Sequence, residues 1–289
     1  MAERRTAACG GLNVPCLAKF LTPDGLVDAP YTGDSLADTT RHEPVDGVYT
    51  ITNTFHNTQV LKLGAHLDRL EDSAARAGIP LALDRPRLRQ ALRQMIESAG
   101  WGDVRFRITV GRHNPETLIL SIEPFKPISR DLLENGTRCI TAPNSARHNP
   151  EAKTTDWAIA RKSLQDAMPP GIYDTFLLDG DGYLLEGLAS NVYAILGGAL
   201  YTADEGVLKG ISRQIVLEIA PAVLPVRLEK AHISQIPDMQ EAFLSSSSRG
   251  IVPVVEIDGQ PIGDGRVGPL TKALRSAYEA WMRDHLEEL

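Results

Sequence analysis

Hydrophobic and polar positions change spacing several times along the chain. From Val48 to Val60 the sequence is dense in Val, Tyr, Ile, Thr and Phe, which predicts one or two strands. From Leu61 to Ala77 the spacing turns helical, with Leu63, Leu67, Leu70 and Ala74 on one face and Gly78 as the stop. Pro86 to Ala99 repeats the pattern through Leu88, Leu92, Met95 and Ile96, and ends at Gly100. Pro86 suits a first helical turn, where a missing N–H costs nothing. Val104–Val110 and Thr117–Ile122 read as strands around a loop that contains Gly111, Asn114 and Pro115.

The second half has a different rhythm. A strand at Arg138–Thr141 precedes a helix over Thr155–Met168, which Pro169-Pro170-Gly171 ends. Short strands follow at Tyr173–Leu178, Tyr183–Glu186, Asn191–Leu196 and Ala199–Thr202, joined by Asp-Gly and Gly-Gly turns. That pattern predicts an antiparallel meander or barrel. A helix over Ile211–Ala220, strands near Val226, Glu241–Ser246 and Ile251–Ile257, and a helix over Gly265–Leu286 complete the chain. The expected fold class is α+β in two domains. A small α/β domain spans 1–125, a short ordered connector 126–137, and a larger barrel-like domain 138–289.

Composition narrows the class. A chain of 289 residues fits about two domains. Its net charge of -7 makes it a poor electrostatic partner for nucleic acid. Cys9, Cys16 and Cys139 give an odd count without C-x-x-C spacing, so neither a disulfide framework nor a zinc site is expected. No apolar run approaches the roughly 18 residues of a membrane span, and Met1–Gly11 lacks a leader-type apolar stretch. These features point to a cytoplasmic enzyme with no membrane partner and no metal.

Four segments of the second half carry candidate chemistry. Lys153-Thr154-Thr155-Asp156-Trp157 places one lysine just before a helix. Glu186-Gly187-Leu188-Ala189-Ser190-Asn191 places an acid at a strand end. Leu208-Lys209-Gly210-Ile211-Ser212-Arg213 opens a helix, and Ser245-Ser246-Ser247-Ser248 lies between strands. Taken singly, each is an ordinary solvated lysine, strand-edge acid, helix start or polar loop. Together they supply a helix N-terminus and hydroxyls for an anion, an acid for a heterocyclic N–H, and a lysine able to condense with an aldehyde. Those are the requirements of pyridoxal 5'-phosphate.

In this order the segments resemble the class IV aminotransferases, the pyridoxal-phosphate enzymes of fold type IV. The resemblance runs from about Val48 to Trp281. It implies that Lys153 is the Schiff-base lysine and that Glu186 contacts the pyridine nitrogen. It implies that Leu208 packs on the cofactor ring and that Ile211, Ser212, Ser247 and Ser248 bind phosphate. In the first half, His66-Leu67-Asp68-Arg69-Leu70 matches the family's H-x-x-R-L, which makes Arg69 a phosphate ligand. One departure is Asp46-Gly47-Val48-Tyr49-Thr50, where Thr50 replaces an acid and Tyr49 is a substrate-pocket candidate. Arg112 and His113 are further substrate candidates, by analogy with a carboxylate-binding loop of D-amino acid aminotransferases, against the reading of a solvated turn. Arg147 and His148 are pocket candidates on the same footing.

The implied activity is a transferase, moving an amino group between a small-molecule donor and a 2-oxo acid acceptor. The donor expected first is a D-amino acid or (R)-amine. A branched-chain L-amino acid aminotransferase is second, aminodeoxychorismate lyase third, and a non-catalytic cofactor-binding homologue stands outside the class. The resemblance also implies a homodimer.

Overall fold

The computed structural model describes residues 16–289; Cys9 and the Met1–Gly11 segment lie outside them. The first half contributes strands β1 (Leu17–Thr22), β2 (Gly25–Asp28), β3 (Val48–Phe55), β4 (Gln59–Leu61), β5 (Val104–Gly111) and β6 (Asn114–Pro124). They form one sheet in the order β4-β3-β5-β6-β1-β2, antiparallel throughout. Helices α1 (Leu63–Arg76) and α2 (Arg85–Ala99) cover one face. Their expected apolar stripes, Leu63, Leu67, Leu70 and Ala74 with Leu88, Leu92, Met95 and Ile96, share a core with Phe106, Ile108, Leu120 and Ile122. Asp84 caps α2 through the Arg87 N–H, and Gly100 ends it at φ +64°.

Period-two alternation gives β3 and β5 a second role. Phe106, Ile108 and Val110 enter the helix-covered core. The alternate residues Arg105, Arg107 and Thr109 pair in register with Asn53, Ile51 and Tyr49, so these six share the opposite face. That face looks towards the second half of the chain.

The second half contributes β7 (Thr137–Ala142), β8 (Asp174–Leu178), β9 (Leu184–Gly187), β10 (Asn191–Leu196), β11 (Ala199–Tyr201), β12 (Val226–Arg227), β13 (Glu241–Ser246), β14 (Gly250–Ile257) and β15 (Gln260–Pro261). The order β10-β13-β14-β7-β8-β9 closes on itself, because Glu186 of β9 pairs with Asn191 of β10. The barrel expectation is therefore met, with one difference. Strand β7 runs parallel to both β14 and β8, since helix α4 (Thr155–Asp166) forms the crossover from β7 to β8. Helices α5 (Ile211–Ile219) and α6 (Pro269–Asp284) pack on the outer face of β10 and β13 through Ile215, Val216, Leu274 and Tyr278 against Tyr193, Ile195 and Phe243.

Several elements were not expected. β1 and β2 have half-buried, unpatterned sequences. A short helix α3 (Arg130–Asn135), capped by Ser129, occupies the segment read as connector. Strand β16 (Leu286–Glu288) pairs with β4, so the last strand of the chain adds to the sheet built by the first half. No helix among the described residues is long and apolar enough to cross a membrane. Nor does any cluster of His, Cys, Asp or Glu among them suit a metal ion. Cys16 and Cys139 are buried free thiols.

Candidate active site

A cavity of about 380 Å³ lies where the Arg105 face of the first sheet meets the barrel. Lys153 enters it from the turn before α4. The lysine's backbone is tied to the first half on both sides. Its carbonyl accepts the Tyr49 N–H at 3.0 Å, and its own N–H donates to Ser73 Oγ at 3.1 Å. Gly47 and Thr155 exchange further bonds: the Thr155 N–H donates to the Gly47 carbonyl, and the Gly47 N–H to Thr155 Oγ1. Gly47 is required there, since a Cβ would collide with the Val110 carbonyl oxygen.

The Lys153 ammonium lies 4.7 Å from the centre of the Tyr49 ring. Burial lowers its pKa to about 8, with Tyr49 opposing and the charges of Arg69, Arg161 and Arg147 adding to the fall. Tyr49 moves the other way from most buried phenols. Burial alone would raise its pKa, but Arg161, Lys153, Arg107 and Arg147 outweigh that and bring it to about 7.

The opposite wall is an anion cradle. Gly210 precedes α5 in an extended conformation with no side-chain cap, which leaves the first N–H groups at Ile211 and Ser212 open to the cavity. Asn191 holds this turn through the Leu208 carbonyl, and a Cβ on Gly210 would strike Asn191 Oδ1. Ser212 Oγ shares a 2.9 Å hydrogen bond with the Tyr278 hydroxyl. Ser247 and Ser248 occupy the turn between β13 and β14 and line the same cavity.

Arg69 reaches the cradle from α1. Its Nε is buried without a partner, its Nη2 makes one 3.4 Å bond to Thr50 Oγ1, and no carboxylate lies within 4 Å among the described residues. Burial lowers its pKa to about 10, so it stays charged near neutrality. Thr50 also bonds His66 Nδ1 at 2.9 Å. Burial first, then the charges of Arg69 and Lys153, keep His66 neutral. A buried guanidinium without a counter-ion beside an open helix N-terminus fits a phosphate group.

Glu186 completes the set at the barrel seam. One oxygen accepts from Arg147 Nη1 at 3.0 Å and the other from the Leu208 N–H at 3.1 Å. Burial raises its pKa, against the pull of Arg147, the Leu208 amide and Lys153. Arg147 also donates to the carbonyls of Pro150 and Ala152 and lies 5.2 Å from the Trp157 ring centre.

Lys153, Arg69, Glu186, Leu208, Ile211, Ser212, Ser247, Ser248 and Tyr49 thus all line one cavity, as does Arg147. Arg112 and His113 do not. Arg112 donates to the Ala77 carbonyl, and both approach Asp46, at 3.6 and 3.3 Å, on the β5–β6 turn. His148 is exposed and also absent from the lining. Arg105, Arg161 and Arg249 are lining residues that the sequence reading did not single out. Arg161 stands one helical turn beyond Trp157, and that spacing was the available signal.

Comparison with known proteins agrees with this geometry. The family model described as amino-transferase class IV matches residues 47–257. The chain is 28% identical over 249 residues to the D-alanine aminotransferase of Bacillus licheniformis, covering 81% of this chain and 87% of that protein. It is 27% identical over 245 residues to the branched-chain-amino-acid aminotransferase of Pseudomonas aeruginosa, covering 78% and 80%. Among solved structures, a T.th. branched-chain amino acid aminotransferase with pyridoxamine 5'-phosphate superposes with a TM-score of 0.80 at 20% identity, over 94% of this chain and 98% of that one.

Proposed function

The chain belongs to the class IV aminotransferases, and on that premise we propose that this cavity binds pyridoxal 5'-phosphate and moves an amino group from an amino acid to a 2-oxo acid. One observation carries the reading. A lysine of lowered pKa, a buried carboxylate, and an unpaired guanidinium beside an open helix N-terminus converge in one cavity.

Arg69, the Ile211 amide, Ser212, Ser247 and Ser248 would hold the phosphate, and Leu208 would pack on the ring. The bound cofactor supplies an aldehyde for amine condensation and a ring that withdraws electrons from the substrate carbon. Lys153 Nζ would anchor that aldehyde. Released by the incoming amine, Nζ would take the proton from the substrate Cα and return it during product formation. A pKa near 8 suits this exchange, because both protonation states are populated close to neutrality. Glu186 would hold the ring nitrogen in its protonated form, and the Arg147 pairing fixes the carboxylate that does so. The Tyr49 ring packs against Lys153 and lies where a substrate carboxylate would enter.

A D-amino acid remains the first choice of donor. The cationic lining supports a donor that carries a carboxylate over a simple amine. Purified protein reconstituted with pyridoxal phosphate tests the reading. Visible absorbance characteristic of a lysine-bound cofactor, bleached by an amino acid of one hand and restored by a 2-oxo acid, is expected. No bleaching with any D- or L-amino acid would overturn the transaminase assignment.

A further inference from the structure

We propose that two buried phenols, Tyr278 of α6 and Tyr193 of β10, are positioning residues for anion binding: they hold Ser212 and Ser245, respectively, with the serine hydroxyl proton committed to the cavity. This rests on the cofactor reading above and deepens it at the phosphate end.

Both tyrosines belong to the apolar cluster that α5 and α6 form on β10 and β13. Tyr193 is fully buried and stacks on Phe243, with 4.4 Å between ring centres. Tyr278 is also buried, and its ring faces Gly250, where a Cβ would lie 3.4 Å from Cε1. Each ring carries its hydroxyl to the edge of the cluster. The Tyr278 hydroxyl meets Ser212 Oγ at 2.9 Å, and the Tyr193 hydroxyl meets Ser245 Oγ at 3.0 Å. Ser212 and Ser245 both line the cavity, so the apolar cluster ends and the cavity begins at these two side chains.

The direction of the bonds follows from what else the hydroxyls can reach. Neither phenol has another hydrogen-bond partner among the described residues. A phenol buried in hydrocarbon is strongly disfavoured unless its proton finds an acceptor. Burial pushes both phenols up, Tyr278 to about 12, so both keep their protons near neutrality. The tyrosines therefore donate and the serines accept. Each serine retains one proton, with no further side-chain partner among the described residues. The open side of each serine is the cavity.

This arrangement suits an anion. An unheld serine hydroxyl rotates among its staggered positions and can accept as readily as donate. A phosphate needs donors only. The phenol fixes the serine as a donor before the anion arrives, which is preorganisation. Ser212 gains most from it, because it sits in the first turn of α5, beside the open backbone N–H groups.

Double-mutant cycles on the purified protein test the inference. They are read as affinity for pyridoxal phosphate and, in the cofactor-free protein, for inorganic phosphate. Tyr278→Phe keeps the packed ring and should weaken both about fivefold. Ser212→Ala should weaken both about tenfold. Adding Tyr278→Phe to Ser212→Ala should change neither affinity further, because the phenol acts through Ser212. Tyr193→Phe and Ser245→Ala should show the same coupling. Pyridoxal, which lacks the phosphate, should bind the parent and all these variants equally, a result that general loosening of the cluster would not give. Additive losses in either cycle, or equal losses of pyridoxal and pyridoxal phosphate affinity, overturn the inference. Coupled losses of phosphate affinity in a protein that forms no lysine-bound cofactor would overturn the transaminase reading while the two tyrosine–serine pairs stand.

Discussion

The Tyr49 N–H donates to the Lys153 carbonyl at 3.0 Å, and the Tyr49 ring lies 4.7 Å beneath the Lys153 ammonium. One residue of the first sheet thus fixes both the backbone and the charged end of the candidate catalytic lysine. The backbone tie is independent of the side chain at 153. Replacing Lys153 with Ala should leave the fold intact by circular dichroism. It should reduce amino transfer by at least about a hundredfold, since proton transfer alone contributes that much. A variant that keeps wild-type turnover would remove Lys153 from the chemistry.

The same pair predicts how stability depends on pH in the cofactor-free protein. Both groups have folded pKa values below their ordinary ones: Lys153 at about 8 against 10.5, Tyr49 at about 7 against 10.0. Between those limits the unfolded chain binds more protons than the folded one. Their contribution to stability therefore rises with pH from about 7 to about 10. Denaturant unfolding at a series of pH values should show the slope, and Lys153→Met with Tyr49→Phe should flatten it.

Arg69 should behave as a ligand site rather than a structural pair. It is buried with no carboxylate within 4 Å among the described residues, and its side-chain bond goes to Thr50 Oγ1. Arg69→Met should leave the cofactor-free protein as stable as the parent, or more so. The parent should gain roughly 2.7 kcal/mol from pyridoxal phosphate at a hundred times its dissociation constant. The variant should need far more cofactor for the same shift in Tm. An equal response in both proteins would place the phosphate elsewhere.

Glu43 and Arg107 give a contrasting case. Both are buried, and Glu43 accepts from Arg107 Nε at 2.9 Å and from Thr109 Oγ1 at 3.0 Å. Glu43→Ala leaves a buried guanidinium without its partner and should cost about 3–5 kcal/mol in denaturant unfolding. Replacing both residues with Met should cost less than either single change. A double variant as unstable as the sum of the singles would show the two side chains to be uncoupled.

Much of this site was legible before folding because its parts are local. Lys153 precedes a helix, Glu186 ends a strand, and Ile211 opens a helix, each within a few residues of sequence. What is not local was not legible. Arg105 and Arg161 line one cavity only because β5 pairs with β3 and because the β7-to-β8 crossover brings α4 across it. Arg147 was seen but resembled a loop residue until the barrel placed Glu186 beside it. Arg112 and His113 show the reverse. Analogy with an arginine and a histidine on a similar loop suggested a carboxylate site, yet Asp46 and the Ala77 carbonyl hold them on the outer turn of this chain. In the fold, β16 and the parallel placement of β7 depend on tertiary pairing that no short window contains.

Barrel closure has a consequence for assembly. Glu186 and Asn191 are the pair that joins β9 to β10, and both reach the same residue, Leu208: Glu186 through its amide and Asn191 through its carbonyl. The seam of the barrel and the acid of the site are therefore one structure. A chain with an open seam has neither a placed carboxylate nor a placed α5 turn, so it has no matched pocket to offer. Closing the seam and completing the pocket are therefore a single event in folding.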